Sequence, residues 1–98
     1  MGEPGDQIAI LNNLALVYGE SGETERAIAL SLAALDLCLL LGDRHHEAAL
    51  HNNLADLYHA VEQTEVSMSH LKQAVAILAE IGGETGDLKP EIWKMVEW

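Results

Sequence analysis

Five histidines, His45, His46, His51, His59 and His70, are the side chains here best suited to chemistry near neutral pH. An imidazole can bind a metal or carry a proton. A helical metal site stacks two histidines four positions apart, as in His-Glu-x-x-His. His46 and His51 are five apart and no such run exists. Cys38 is the one cysteine, which excludes an internal disulfide and a paired thiolate site. A helical metalloenzyme would need distant histidines to converge, and the spacing gives no sign of it. The histidines are therefore expected at the surface or partly buried, with no metal ligands among them and no cofactor. The glycine-rich stretch Gly82-Gly83-Glu84-Thr85-Gly86 lacks the base of a phosphate loop, and there is no Gly-x-Ser-x-Gly elbow. Carboxylates are plentiful, but helical charge runs form solvated faces. No catalytic residue is expected.

Charge narrows the partners. Sixteen acids against five bases leave a formal net charge of -11 over 98 residues. Such a surface repels nucleic-acid phosphates and anionic membranes. A basic or neutral protein partner suits it better, unless the acids only keep a helical surface soluble. The first residues, Met1-Gly2-Glu3-Pro4-Gly5-Asp6, have neither the basic start nor the apolar stretch of a secretory signal, so a cytoplasmic location is expected. Apolar residues make up 49% and aromatics 4%, with no Phe. The core must come from Leu, Ile, Val and Ala, which favours closely packed helices.

The elements that would position these residues repeat. Asn12-Asn13-Leu14-Ala15 recurs forty residues on as Asn52-Asn53-Leu54-Ala55. Ala9 and Ala49, Tyr18 and Tyr58, Thr24 and Thr64, Glu25 and Glu65, Ala34 and Ala74, and Gly42 and Gly82 share that offset. A period of this length signals a solenoid of supersecondary units. Within a unit, Ile8, Leu11, Ala15 and Tyr18 follow helical spacing, and Gly19-Glu20-Ser21-Gly22-Glu23 breaks it. Thr24 is placed to cap a second helix that Gly42 stops. Asp43 is placed to cap a third, Val61-Glu62-Gln63 to turn, and Thr64 to cap a fourth. The expected architecture is all-α: antiparallel helix-turn-helix repeats at about 6–42 and 43–82, a linker at 83–87, and a closing helix at 88–98. Residues 1–98 would then form one domain.

The pattern Leu11-x-x-Leu14-Ala15-x-x-Tyr18, followed by Ala27 and Ala34, resembles the tetratricopeptide repeat. Ala15 lets the paired helix approach, Tyr18 fills the gap near the turn, and Ala27 and Ala34 keep the second helix tight on the first. The second unit keeps Leu54, Ala55, Tyr58 and Ala74, and departs at His51 and Ser67. The resemblance covers residues 6–82 well and the tail weakly. The long unit, the Asn-Asn-Leu-Ala opening and the Gly42-Asp43 junction are similar to repeats of kinesin light chains and of large bacterial signalling ATPases and transcription regulators.

The resemblance implies a concave groove lined by the first helix of each pair, holding a peptide or protein segment. Carried over, the groove presents Ala9, Asn12, Leu16 and Gly19, then Ala49, Asn52, Asp56 and His59. Asn12, Leu16, Asn52, Asp56 and His59 are the candidate contacts. The amides of Asn12 and Asn52 can meet an extended backbone, because an amide both donates and accepts. Alternatively these asparagines, or Asn13 and Asn53, tie neighbouring repeats together. The bases Arg26, Arg44, Lys72, Lys89 and Lys94 all miss the groove positions, so a clamp for an acidic peptide terminus is not expected.

A protein-interaction module is thus the leading expectation, and a structural or self-associating segment of a larger regulator is its rival. For the rival, the second helix is unusually apolar: from Ala27 to Leu41 only Ser31 and Asp36 are polar. One stripe, Ala27, Ala34, Cys38 and Leu41, is expected to face its own pair. Another, Ile28, Leu32, Leu35 and Leu39, is expected to meet the next repeat. Leu30, Leu37 and Leu40 are left over as a self-association surface for a second copy of the chain.

Overall fold

The computed structural model describes residues 4–81, which form four α-helices: α1 (Pro4–Glu20), α2 (Thr24–Leu41), α3 (Arg44–Ala60) and α4 (Thr64–Ile81). No strand occurs among the described residues. The expected linker and closing helix, with Gly82, lie outside them. α1 packs on α2 and α3 on α4, while α2 and α3 carry most of the seam between the pairs and α1 meets α3 more lightly.

Helix ends follow from backbone chemistry more than from side-chain caps. α1 starts at Pro4, where a missing N–H costs nothing because first-turn donors have no helical partner. α1 also continues through Gly19, past the expected break. A Cβ at Gly19 would lie 3.3 Å from Leu57 Cδ2, so the bare glycine gives α3 room to approach. α1 then closes with Gly22 in the left-handed region (φ 86°) and the Glu23 N–H on the Tyr18 carbonyl at 2.9 Å. α3 ends in the same loop with Glu62 in glycine's place (φ 63°), and Gln63 N–H meets the Tyr58 carbonyl at 2.9 Å. Gly42 (φ 70°) ends α2, with Asp43 N–H on the Cys38 carbonyl at 2.9 Å. Thr24 and Thr64 are not the caps expected of them. The Ala27 N–H already bonds the Glu23 carbonyl and Ser67 N–H the Gln63 carbonyl, so each threonine is the first helical residue. Asp43 does cap α3: its Oδ1 accepts the His46 N–H at 3.1 Å.

The seam holds the main core. Ile8, Ala34, Leu35, Cys38, Leu50 and Leu54 are buried together, with Leu11, Ile28, Leu37 and Tyr58 packed around them. Each fully buried leucine contributes about 1.5–3 kcal/mol. Ala48 and Ala55 on α3 and Leu71, Ala74 and Ile77 on α4 are buried where these closely packed helices lie, and small alanines suit a close approach of axes. Leu50 and Leu54 are buried against α2. Forty residues earlier, Ile10 and Leu14 take the same positions on α1 and are exposed, as is Val17.

Candidate functional site

A cleft of about 270 Å³ opens between α1 and α3, with α2 contributing Thr24 and Ser31 to its lining. α1 contributes Asn12, Ala15, Leu16, Gly19 and Glu20, residues three and four apart that share one helix face. α3 contributes Asn53, Asp56, Leu57 and Ala60 by the same rule. The walls are largely apolar. Glu20 and Asp56 add two carboxylates, and the described lining residues include no base. The Ser31 hydroxyl is fully buried and has no hydrogen-bond partner among the described residues. A buried hydroxyl left without a partner costs about 1–3 kcal/mol.

Of the residues expected in the groove, the cleft brings together Asn12, Leu16, Gly19 and Asp56. Asn52, half-buried, and His59, exposed, do not line it. Asn53 takes the place expected of Asn52. Its Nδ2 donates to Asn12 Oδ1 at 2.9 Å, tying α1 to α3. That bond uses Asn12's acceptor and neither of its two N–H donors. Both readings of the asparagines therefore meet in one side chain. Of the expected self-association residues, Leu40 is 78% exposed, whereas Leu30 and Leu37 are half-buried and Leu37 packs against the core.

The second pair contains a polar cluster that spacing along the chain did not suggest. His51, only 4% exposed, and His70 meet Nδ1 to Nδ1 at 2.9 Å. Tyr58 stacks on His70 with the ring planes 3° apart. On the far side of His51, Nε2 faces the buried Glu47 carboxylate at 3.8 Å. Arg44 then joins Glu47, at 2.9 Å, to Glu80 near the end of α4. Burial lowers both imidazoles from their ordinary value. For His51, the neighbouring His70 and Arg44 add to that effect and Glu47 opposes it. The legible signal was the forty-residue offset itself, which maps His51 onto Leu11 and His70 onto Leu30. Nearby, Ser67 Oγ donates to the buried Ala55 carbonyl at 2.7 Å.

Among the described residues, no three His, Cys, Asp or Glu side chains are arranged to hold a metal, and no helix is long and apolar enough to cross a membrane. No curated protein and no solved structure matches the chain. The model of the tetratricopeptide repeat family matches residues 6–80, a span that takes in both helix pairs almost completely. The chain therefore belongs to the tetratricopeptide repeat family.

Proposed function

We propose that the α1–α3 cleft receives an extended segment of another protein, seating a basic or neutral side chain beside Glu20 and Asp56. Tetratricopeptide repeats generally mediate protein–protein interaction. The observation that carries the finer reading is the lining of the cleft: largely apolar walls with the carboxylates of Glu20 and Asp56 among them. An aliphatic stem would cover Leu16 and Leu57 while its polar end meets a carboxylate. The test is fluorescence anisotropy against basic, neutral and acidic peptide sets. Basic peptides should bind best. Asp56→Lys should weaken them about tenfold, equivalent to ~1.4 kcal/mol, with the melting temperature almost unchanged. Equal binding of all three sets, or indifference to Asp56→Lys, would remove the cleft as the site.

A second reading, self-association, is supported by a different face. Ile10, Leu14 and Val17 form an exposed apolar stripe on α1, and the first two stand at the positions that α3 buries on α2 with Leu50 and Leu54. A second copy that covered this stripe, together with Leu40, would remove apolar surface from water. The charge of -11 opposes such pairing, so added salt should strengthen it by screening. Sedimentation at raised protein and salt concentration tests this, and a monomer under those conditions would end it.

A further inference from the structure

We infer that the His51–His70 pair makes the second repeat acid-sensitive: the pair clasps α3 to α4 while one Nδ1 is bare, and lets go when mild acid protonates both rings.

The geometry sets the order of events. Two Nδ1 atoms 2.9 Å apart can bond only if one carries a proton and the other a lone pair. The Glu47 carboxylate, facing His51 Nε2, favours the tautomer with the proton on that nitrogen. His51 Nδ1 is then the acceptor and His70 Nδ1–H the donor. A first added proton goes to Nε2 of the half-buried His70 and leaves the clasp intact. A second must go to His51 Nδ1. It removes the lone pair, sets two N–H groups head to head, and places a second charge in a buried site.

The surroundings do not absorb that charge. On α3, Glu47 draws protons to His51, but it is already paired with Arg44, whose own charge repels them. α4 contributes His70 itself and, through Arg44, Glu80. α2 brings the Cys38 thiol near Glu47, and burial, with Asp43 and Glu47 next in importance, raises that thiol to about 11. It stays neutral throughout. The unfolded histidines take up protons near 6.5, and the folded pair does so lower. Below about pH 6.5 the unfolded chain therefore binds more protons. Stability falls from there until the folded rings have titrated, then levels off. The first repeat has Leu11 and Leu30 at these positions, so it lacks the device.

Urea denaturation of the whole chain at pH 7.5 and pH 5.0 tests this, with NMR following each imidazole. The folding equilibrium constant should drop by about tenfold or more in mild acid. Loss of α3–α4 contacts should coincide with protonation of His51, not of His70. His51→Leu with His70→Leu, which copies the first repeat, should cut the drop to roughly threefold or less. If that variant does not fold, His70→Gln serves. Its amide can donate to a bare His51 Nδ1 and, turned over, accept from a protonated one, so acid sensitivity should shrink while folding survives. A wild-type stability flat between the two pH values would overturn the inference. So would an undiminished drop in whichever variant folds.

Discussion

The two helix pairs occupy matching positions with different chemistry. Around the first, the buried set is nearly all aliphatic, and the face of α1 turned away from the second pair stays apolar and exposed. In the second, Glu47, His51 and Ser67 are buried with hydrogen-bond or ionic partners. The pair that leaves an apolar stripe uncovered has few internal polar ties. The other pair holds its helices with a directional network. Apolar packing tolerates small shifts, whereas a hydrogen-bonded cluster fixes one arrangement and responds to protons. One template has thus given one half a surface to be covered and the other a set of contacts that can be switched.

Exchanging equivalent residues tests that contrast. The largest effect is expected at Leu54, fully buried at the seam. Leu54→Ala should cost about 2–5 kcal/mol in urea denaturation. Its counterpart Leu14→Ala, 43% exposed, should cost less than about 1 kcal/mol. Equal losses would mean that the α1 stripe is covered in solution.

Asp43, at the junction of the pairs, comes next. Removing the cap with Asp43→Ala should cost about 1 kcal/mol, and Asp43→Asn, a good cap itself, should recover most of it. Burial raises the Asp43 carboxyl, but the His46 N–H and ring outweigh it, and the net shift is downward from 3.8. Its contribution is therefore complete above about pH 4 and fades as pH falls through the folded value. An acid melt that Asp43→Asn flattens only in that lower range would separate this group from the histidines.

Smaller still is the turn exchange. Glu62→Gly relieves a left-handed backbone position and should stabilise by about 0.5–1 kcal/mol. Gly22→Ala should cost at least as much. Smallest in stability is Ile10→Lys with Val17→Lys. The melting temperature should hardly move, while any self-association seen by sedimentation at high salt should disappear.

Much of this fold is legible in the sequence because a repeated unit is read twice. The offset that pairs Asn12-Asn13-Leu14-Ala15 with its later copy, and the glycines after each first pair of elements, place four helices to within a few residues. Helix starts are less legible. Thr24 and Glu23 are both polar, and which one caps depends on a backbone angle the side chains do not encode. The cleft is half-legible. Leu16 and Asp56 follow from helical spacing, but Asn52 and Asn53 are neighbours on a helix, and only the rotation of α3 against α1 decides that Asn53 meets Asn12. The histidine clasp hides for a similar reason. His51 and His70 lie on different helices, and no local motif joins them.

The buried Cys38 gives the chain a clock of its own. It is the one cysteine, it lies wholly within the seam, and its thiol, raised to about 11, is almost never the reactive anion while folded. A thiol reagent can therefore modify it only during excursions that open the core around α2. The modification rate, divided by that of the unfolded chain, is the fraction of time this core stands open. Oxidants meet the same gate, so the reactivity of this sulfur is set by how often the helices around it breathe apart.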